Sequence, residues 1–424
     1  MSGVFLGLGD FFMNVAIMGY GVVGSGVAEV LKKNHESILK KSMQDSLELK
    51  YILDIRDFPG DPNESLVIRD FNKIVEDDSV RVVVETMGGL HPAFEFVSAC
   101  LAAGKSVVSS NKELVAAKGD VLLQIAEENN VNFLFEASVG GGIPILRPLS
   151  QCLAANEIYE IYGILNGTTN FILTKMINEG LSFETVLRMA QENGYAEKDP
   201  TADVEGHDAC RKICILASLI YGRHVYPDAV HTEGITKIDL ADVEYAKCWG
   251  GVIKLIAMAK EVSENRIHAM VSPSFVPNDS QLANVNDVFN AILVRGDATG
   301  DVVFYGRGAG KLPTASAIVA DILDCCRHTQ RKRGFGWKPS TENMVVDYLD
   351  QNTSLYVRAG AEHPADALTA VRAAFGDVQI LTRKDAPADE IAFVTPVDTE
   401  RALRTKLETL HCLKPLSVLH IADC

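Results

Sequence analysis

The sequence feature that most constrains the fold is a glycine-rich turn between an apolar run and a helical pattern. Residues 14–18 read NVAIM, residues 19–24 read GYGVVG, and residues 25–33 carry apolar side chains at helical spacing. A G-x-G-x-x-G pattern alone is a weak signal, but between a strand and a helix its glycines let backbone N–H groups approach a pyrophosphate. The helix N-terminus adds positive potential at the same place. The segment therefore predicts a Rossmann-type dinucleotide-binding unit.

The alternation of strand and helix patterns continues after this turn. Residues 80–89 and 106–112 have strand patterns, and residues 92–103 between them have a helical one. Alternating elements of this length predict a parallel sheet covered on both faces, and therefore an α/β fold. Ligands bind to such sheets at the carboxyl ends of the strands. The predicted cofactor contacts lie at these ends, and they are Gly19, Gly21, Val22, Val23, Gly24, Thr86 and Lys112.

The choice between NAD and NADP depends on the end of the second strand, where residues 54–57 read DIRD. An acidic side chain at this point binds the ribose 2′-hydroxyl of NAD, whereas an arginine favours the 2′-phosphate of NADP. Both residue types are present, as Asp54 and Arg56. We expect NADP to be preferred and keep NAD as the alternative.

The composition limits the classes of function. A chain of 424 residues exceeds one ordinary hydrophobic core, so we expect two or three domains. A net charge of -16 argues against nucleic-acid and anionic-membrane partners, which both need basic surfaces. Nine cysteines without regular spacing fit a reducing compartment, and no apolar run is as long as a membrane span. Residues 1–12 lack the features of a signal peptide, so we expect a cytoplasmic protein.

A second segment, residues 194–212, brings carboxylates and lysines together over a short distance. Pro200 and Gly206 predict a loop in its first half, and the apolar spacing from residue 208 to residue 217 predicts a half-buried helix. On that helix Asp208 and Lys212 are four residues apart, so they share a face and can form an ion pair. An exposed salt bridge without function is the alternative interpretation.

This segment resembles the signature of homoserine dehydrogenases, G-[YF]-x-E-x-D-P-x-x-D-[VL]-x-G-x-D-x-x-x-K, at every fixed position. The resemblance implies interconversion of L-homoserine and L-aspartate 4-semialdehyde, with Lys212 as the proton donor to the substrate carbonyl oxygen. It also implies that Asp208 holds Lys212 and the substrate, while Glu197 and Asp203 bind the substrate's amino group. The chemistry is coherent, because hydride addition to an aldehyde leaves an alkoxide that a lysine ammonium can protonate.

Three other segments extend the resemblance. Residues 110–112 match the family's cofactor loop, in which Lys112 contacts the nicotinamide end or shares the acid/base task with Lys212. Residues 163–173 match the string G-[IV]-x-N-G-T-[TC]-N-[YF]-I-L. There Thr168 or Thr169 would cap the next helix, and we assign Thr168 to a corner that binds the substrate carboxylate. Residues 306–315 match G-x-G-A-G-x-x-P-T-A. From this last string we assign Gly308 to the cofactor, and from the signature we assign Gly194 to it.

Residues 136–144 read EASVGGGIP, and three successive glycines cannot continue a regular strand or helix. The loop is either a hinge between domains or a place where the backbone approaches a ligand. In homoserine dehydrogenases it holds a monovalent cation, usually sodium, through main-chain carbonyls, which suit a hard cation. The resemblance assigns these carbonyls to Glu136, Val139, Gly141 and Ile143.

The second half of the chain gives weaker patterns. We predict a continuous helix over residues 240–262, strands over residues 266–271 and 291–294, and a glycine-rich loop over residues 304–315. The tail has a βαββαβ pattern, which is ferredoxin-like and resembles an ACT regulatory domain. The usual D-x-P-G turn of ACT domains is replaced by EHPA at residues 362–365. Binding of a feedback amino acid and a purely dimerising role therefore both stay open.

These patterns divide the chain into predicted domains. A nucleotide-binding domain covers residues 13–137 and is completed by about residues 308–327, and a substrate-binding and dimerisation domain of the α+β type covers residues 138–307. A linker at residues 328–350 leads to the ACT-like domain at residues 351–424. The expected partners are the small-molecule substrate and further copies of the chain, in a homodimer or homotetramer.

Two other functions fit parts of the sequence. Another NAD(P)-dependent amino-acid or hydroxy-acid dehydrogenase would share the glycine turn, but it would not need the string from Glu197 to Lys212. A catalytically inactive module that senses NAD(P) or amino acids would bind ligands without turnover. The presence of Lys112, Asp208 and Lys212 together argues against such a module.

Overall fold

The structure is a computed structural model that describes residues 12–42, 44–331, 335–340 and 342–424. The prediction that residues 1–12 are not a signal peptide therefore concerns residues that lie, except for Phe12, outside this description. Within the described ranges, no helix combines the length and the apolar character needed to cross a bilayer.

The strands are named in chain order. They are β1 (Phe12–Met18), β2 (Ser46–Leu53), β3 (Val67–Ile68), β4 (Val80–Glu85), β5 (Ser106–Ser109), β6 (Phe133–Leu134), β7 (Ile158–Ile164), β8 (His231–Thr232), β9 (Gly251–Ser263), β10 (Arg266–Pro277), β11 (Phe289–Gly296), β12 (Gly300–Arg307), β13 (Asn352–Thr353), β14 (Leu355–Gly360), β15 (Gln379–Leu381), β16 (Glu390–Val394), β17 (Asp398–Thr399) and β18 (Lys414–Ile421).

The α-helices follow the same numbering. They are α1 (Val22–Lys33), α2 (His35–Ser42), α3 (Asn72–Val75), α4 (Ala93–Ala102), α5 (Lys112–Glu128), α6 (Gly167–Glu179), α7 (Phe183–Glu192), α8 (Thr201–Val204), α9 (His207–Tyr221), α10 (Leu240–Trp249), α11 (Lys311–Arg327), α12 (Pro364–Phe375) and α13 (Glu400–Thr409).

The chain divides into two compact units. The first unit contains residues 1–153, 218–224 and 309–339, as far as these are described. The second unit contains residues 154–217, 225–308 and 340–424. The tail thus belongs to the second unit in this division.

The first unit contains a parallel sheet with strand order β3-β2-β1-β4-β5-β6. This is the strand order of a dinucleotide-binding fold, and it confirms the predicted α/β class. Ile17 and Met18 in β1 and Val84 in β4 are fully buried, as expected for strands covered on both faces. Helices α1 and α11 pack beside each other and add Val27 and Ile318 to the same core.

The second unit contains a mixed sheet with strand order β12-β11-β7-β9-β10-β18-β14-β16-β15, and β8 pairs with β10. β7, β9, β10 and β11 are joined by antiparallel pairs. β18, from the tail, pairs with β10 in parallel, with Ser274 opposite His420. Four strands of the tail, β18, β14, β16 and β15, therefore continue the sheet that contains β7, while β13 and β17 pair with each other in a separate two-stranded sheet.

The tail has the predicted βαββαβ order, with strands arranged as β18-β14-β16-β15. A buried ion pair joins it to α10, because Arg358 Nε on β14 lies 2.9 Å from Oδ1 of the fully buried Asp242. Arg358 also binds Asp239, the N-cap residue of α10, and Glu390 on β16. Buried charges of this kind must be paired, so the network fixes the tail against α10.

The continuous helix predicted over residues 240–262 is wrong. The chain forms α10 and then β9, with Gly250 between them at a φ of 99°. A glycine in the left-handed region ends a helix, because residues with a Cβ adopt that conformation only at a cost. Residues 251–259 of β9 are buried or half-buried on both faces and mostly apolar, so this part of the strand shows no alternation to distinguish it from a helix in the sequence. The predicted loop over residues 304–315 is also shorter, since residues 304–307 belong to β12 and residues 311–315 belong to α11.

Candidate active site

The candidate site in the second unit is centred on a buried ion pair at the start of α9. Lys212 Nζ lies 2.7 Å from Asp208 Oδ2, and the side chains are only 9% and 4% exposed. Lys212 Nζ also donates a hydrogen bond to the carbonyl oxygen of Leu165, 2.7 Å away. The predicted ion pair is confirmed, and its burial excludes the alternative of a solvated surface bridge. Removing one partner of a buried pair would leave an uncompensated charge.

Asn166 connects this ion pair to a second carboxylate. Its Nδ2 donates to Asp208 Oδ2 at 2.8 Å and to Asp203 Oδ1 at 2.7 Å. Two carboxylates that share one amide group lie close together, and the amide donor reduces their mutual repulsion. Asn166 follows the end of β7, so the sheet fixes its position.

The predicted helix cap at Thr168 or Thr169 is wrong. The N-cap residue of α6 is Asn166, whose Oδ1 accepts a hydrogen bond from the N–H group of Thr169 at 2.8 Å. Asparagine is among the best N-cap residues, and here both ends of its amide are used. The two threonines lie in the first turn of the helix, where the Thr168 hydroxyl donates to the carbonyl oxygen of Tyr195 at 2.7 Å.

Two residues of the signature lie at its exposed end. Glu197 is exposed, and its main-chain carbonyl oxygen accepts a hydrogen bond from Gln191 Nε2 at 3.1 Å. Among the described residues, no hydrogen bond joins its carboxylate to the group around Asn166. Gly194 is also exposed and follows α7 with a φ of 73°. The structure therefore brings Asp203, Asp208 and Lys212 together, and it leaves Glu197 and Gly194 at the surface of the second unit.

The first unit contains the predicted dinucleotide turn between β1 and α1. A Cβ atom on Gly24 would lie 2.0 Å from the carbonyl oxygen of Gly19, so a side chain does not fit. The same carbonyl accepts a hydrogen bond from the Thr86 hydroxyl at 2.7 Å. Gly21 precedes α1 as its N-cap, and Val22 and Val23 form its first turn. The predicted contacts Gly19, Gly24 and Thr86 thus form one hydrogen-bonded turn at the carboxyl ends of β1 and β4.

Asp54 and Arg56 do not act as separate alternatives after β2. Asp54 Oδ2 lies 2.8 Å from Arg56 Nη2, and Asp54 Oδ1 accepts a 3.0 Å hydrogen bond from Arg56 Nε. Asp54 also accepts hydrogen bonds from the N–H groups of Tyr20 and Arg56. The hydrogen bond from Arg56 holds the pKa of Asp54 well below its usual range. The Asp54 carboxylate therefore holds the Arg56 guanidinium close to Gly21. A Cβ atom built on Gly21 would lie 3.9 Å from Arg56 Nη2.

Lys112 is the first residue of α5 and is half-buried. The N-cap of this helix is Asn111, whose Oδ1 accepts a hydrogen bond from the N–H group of Leu114 at 3.1 Å. Asn111 is in turn bonded to the buried carboxylate of Glu85, at the end of β4. Lys112 and Thr86 are therefore placed by one connected group of polar residues.

The glycine-rich loop predicted to hold a cation is fixed by the side chain of Glu136. Its carboxylate accepts hydrogen bonds from the N–H groups of Ile145, Leu146 and Arg147, at 2.6 to 2.9 Å. The Glu136 carboxylate is therefore engaged with backbone N–H groups. The residues assigned to the cation, Glu136, Val139, Gly141 and Ile143, are all buried. Within the described part of the chain, no cluster of His, Cys, Asp and Glu side chains could hold a metal ion.

Gly308 packs against the fully buried side chain of Asn290 on β11. A Cβ atom at residue 308 would lie 2.2 Å from the amide carbon of Asn290, so only glycine fits. Both amide atoms of Asn290 are buried and have no hydrogen-bond partner among the described residues. Gly308 is thus held in close contact with Asn290 within the second unit.

Three polar residues of these sites, Asn166, Glu85 and Asn290, were not predicted from the sequence. Asn166 stands between a strand and a helix, the position of an N-cap, so its local signal was present. Glu85 was detectable as the carboxylate that ends an apolar strand pattern. Asn290 has no local signal, because its neighbour Gly308 is distant in sequence.

Two models of the homoserine dehydrogenase family match the chain. The model described as "Homoserine dehydrogenase, NAD binding domain" matches residues 19–136, and the model described as "Homoserine dehydrogenase" matches residues 144–323. The first match includes the glycine turn, and the second includes the Lys212 ion pair. The chain therefore contains an NAD-binding domain of this family.

Relatives and solved structures agree with these matches. The homoserine dehydrogenase of Neisseria gonorrhoeae is 36% identical over 430 residues, which cover 96% of this chain and 98% of that protein. A crystal structure of the homoserine dehydrogenase from Thiobacillus denitrificans has a TM-score of 0.86 and 34% identity, over 97% of this chain and 98% of that chain. A hyperthermophilic archaeal homoserine dehydrogenase in complex with NADPH has a TM-score of 0.61 and 28% identity, over 73% of this chain and 96% of that chain. The chain belongs to the homoserine dehydrogenase family.

Proposed function

We propose that the protein catalyses the NAD(P)-dependent interconversion of L-homoserine and L-aspartate 4-semialdehyde, at a branch point toward threonine, isoleucine and methionine. The observation that carries this proposal is the buried Lys212–Asp208 pair, bridged by Asn166 to Asp203. A buried ammonium held by a carboxylate is suited to proton exchange with a substrate oxygen.

In the direction of reduction, the aldehyde carbon receives a hydride and its oxygen becomes an alkoxide. When bound, the dinucleotide supplies this hydride. Lys212 then gives a proton from its ammonium group to the oxygen, and Asp208 keeps the ammonium in place. The carbonyl of Leu165, as a second acceptor at 2.7 Å, directs Nζ further. In the oxidation of homoserine the neutral amine of Lys212 takes the hydroxyl proton, so the same atom serves both directions.

The amino-acid part of the substrate needs one group of each charge. We assign its ammonium group to Glu197, Asp203 and Asp208, because carboxylates form charge-assisted hydrogen bonds with it. We assign its carboxylate to Thr168 in the first turn of α6, since a helix N-terminus favours an anion. Asp208 lies in the first turn of α9 and is stabilised in its ionised form by the same effect.

For the cofactor we propose NADP rather than NAD. Arg56 favours the 2′-phosphate, and Asp54, which could accept hydrogen bonds from a ribose diol, is already bonded to Arg56 and to backbone N–H groups. The other groups assigned to the dinucleotide are Gly19, Gly21, Val22, Val23, Gly24, Thr86, Lys112, Gly194 and Gly308. Lys112 is assigned to the nicotinamide end or to a share in the acid/base task.

We also propose that the loop at residues 136–143 binds sodium through the carbonyls of Glu136, Val139, Gly141 and Ile143. The burial of these residues and the occupied Glu136 side chain support this assignment. An increase of the melting temperature in sodium chloride over choline chloride of equal concentration would support it. Equal melting temperatures would exclude a stabilising cation at this loop.

The remaining assignments follow the family resemblance. We propose a homodimer or homotetramer in the cytoplasm, with residues 351–424 as an ACT-like domain. Analytical ultracentrifugation of the full chain tests the first part. Threonine titrated into the assay at millimolar concentration tests whether the tail binds a feedback amino acid.

One assay tests the main proposal. The purified chain is supplied with L-homoserine and either NADP or NAD, and reduction of the nucleotide is followed by absorbance. Other hydroxy acids and amino acids serve as competing substrates. We expect turnover with homoserine and a lower KM for NADP than for NAD. Turnover with another substrate alone would favour a different dehydrogenase, and nucleotide binding without any turnover would favour a sensing module.

A further inference from the structure

Glu85 is a buried carboxylate at the carboxyl end of β4, in the first unit. It is fully inaccessible to solvent. Burial raises its pKa, and hydrogen bonds from Ser109 and from the N–H groups of Met87 and Gly88 act in the opposite direction. A carboxylate is costly to bury unless several donors surround it. The buried Glu85 carboxylate lies at the edge of the sheet where ligands bind, so we ask what it does there.

The oxygens of Glu85 collect donors from two different loops. Oε1 accepts hydrogen bonds from the N–H groups of Met87 at 2.8 Å and Gly88 at 3.3 Å, in the loop after β4. Oε2 accepts a hydrogen bond from the Ser109 hydroxyl at 2.6 Å, at the end of β5. The loops after β4 and β5 are thus fixed to one side chain.

Asn111 extends this connection to α5. Its Nδ2 donates to Glu85 Oε1 at 3.4 Å and, with better geometry, to the carbonyl oxygen of Gly89 at 2.6 Å. Its Oδ1 caps α5 by accepting the hydrogen bond from Leu114. Because Lys112 is the next residue, the position of its backbone follows from that of Asn111.

Thr86 extends the connection in the other direction. It is adjacent to Glu85, and its hydroxyl donates to the carbonyl oxygen of Gly19 at 2.7 Å. Its N–H group donates to the carbonyl oxygen of Met18 at 2.9 Å. The glycine turn, the loop after β4 and the start of α5 therefore meet around Glu85.

We propose that Glu85 is a positioning residue that orders the loop at residues 86–89 and the start of α5 before the dinucleotide binds. The inference rests on the proposed function in one respect, namely that this edge binds the dinucleotide. Loops that are already ordered lose less conformational entropy on binding, so the affinity for the ligand rises without any contact from Glu85 itself. Thr86 and Lys112 are the residues that Glu85 places.

The test is the affinity of the full chain for NADPH, measured by fluorescence titration without substrate. Glu85→Ala removes the acceptor, and we expect the Kd to rise about tenfold or more, since several hydrogen bonds that order the loops are lost. Glu85→Gln keeps an acceptor for the backbone N–H groups, and the Ser109 hydroxyl can turn to accept from the new amide. We expect a rise of about threefold or less for this variant.

The matched control lies at the opposite ends of the same two strands. Lys105 directly precedes β5 and donates from its buried Nζ to the carbonyl oxygens of Asp77 and Val80, at 2.8 and 3.0 Å. Lys105→Met should lower the melting temperature and leave the Kd for NADPH within about twofold, because it changes stability away from the ligand edge.

The outcomes separate the alternatives. A Kd within about twofold of the parent for Glu85→Ala would overturn the proposal, since an ordering role predicts a clear loss of affinity. An equal loss for Lys105→Met would also overturn it, because the effect would then be general destabilisation. If Glu85→Ala does not fold, Ser109→Ala removes the hydroxyl that donates to Glu85 and accepts from the N–H group of Asn111, and it should raise the Kd about threefold, while an unchanged Kd again contradicts the proposal. Failure of the parent chain to bind NADPH would instead contradict the proposed function.

Discussion

The dinucleotide-binding edge of the first unit and the ion-pair site of the second unit are built in different ways. At the first edge, the backbone forms the surface, and Gly24 approaches Gly19 so closely that a Cβ would lie 2.0 Å from its carbonyl oxygen. In the second unit, charged side chains form the site, and Lys212 and Asp208 are buried together at 2.7 Å. The first site is therefore sensitive to added volume, and the second is sensitive to changed charge.

Each site also depends on one polar residue that organises the others. Glu85 is an acceptor and gathers donors from the backbone and from Ser109 and Asn111. Asn166 is a donor toward two carboxylates, Asp203 and Asp208. Glu85 holds neutral backbone groups, which need an acceptor for their N–H groups. Asn166 holds two like-charged carboxylates, which need a donor between them.

The largest effect is expected at the ion pair. Lys212→Met should lower kcat by about 10²-fold or more, because the proton-transfer group is lost. Lys212→Arg keeps the positive charge beside Asp208 but holds its proton too tightly to transfer it, so it should lose turnover to a similar extent. NADPH affinity, measured by fluorescence, should remain within about twofold for both variants, since the glycine turn is unchanged. Near-normal turnover of the arginine variant would show that Lys212 acts only through its charge.

A second prediction concerns the bridge between the two carboxylates. Asn166→Asp keeps the size and the N-cap oxygen but replaces the donor with a third carboxylate. Like charges raise one another's pKa, so the acidic limb of the pH profile of kcat/KM should move to higher pH, and kcat/KM near neutral pH should fall about tenfold or more.

The control for this prediction is Asn166→Ser. Serine can still cap α6 and adds no charge, but it removes the amide donor between the two carboxylates, so kcat/KM should fall and the acidic limb should move less than in the aspartate variant. A pH profile of the aspartate variant that superimposes on that of the parent would contradict the bridging role. NADPH affinity should again be unaffected, which sharpens the contrast between the two sites.

A third and smaller effect is expected for cofactor choice. Arg56→Gln should raise the Kd for NADPH about tenfold, because a charge-assisted hydrogen bond to the 2′-phosphate is lost. The Kd for NADH should stay equal or fall, since Asp54 is released to accept hydrogen bonds from the ribose. The exposed Arg81 on β4 provides a control, and Arg81→Gln should change neither constant. Equal losses of both cofactors in the Arg56 variant would exclude a role in discrimination.

The smallest expected effect is on the pH dependence of that discrimination. The Arg56 guanidinium keeps the pKa of Asp54 well below its usual range, so the pair persists wherever Asp54 would otherwise begin to take up a proton. From about pH 7 to about pH 9 the Asp54 carboxylate stays ionised with or without this shift and the 2′-phosphate is almost fully ionised, so the ratio of the Kd values for NADH and NADPH should change less than about twofold. Binding measured at both ends of this range checks the prediction, and a larger change would require another titrating group.

Several features followed from local sequence. The glycine turn, the parallel sheet and the spacing of Asp208 and Lys212 each depend on neighbouring residues, so periodicity and turn chemistry predicted them. The prediction of a helix over residues 240–262 failed because residues 251–259 of β9 are mostly apolar and covered on both faces, and the pattern of such a strand matches that of a buried helix. The cap at Thr168 or Thr169 failed although Asn166 is only two residues before Thr168, because Asn166, Thr168 and Thr169 are all residue types that can cap a helix.

The amino-acid sequence by itself determined the glycine turn, the strands of the parallel sheet, and that a carboxylate and a lysine share one turn of α9. Only the tertiary structure decided that Asn166 reaches both Asp203 and Asp208 and that β18 extends the sheet beside β10. The physical reason is the range of the interactions. Helix periodicity and glycine conformation act over a few residues, whereas burial and hydrogen bonding join residues that the chain separates widely.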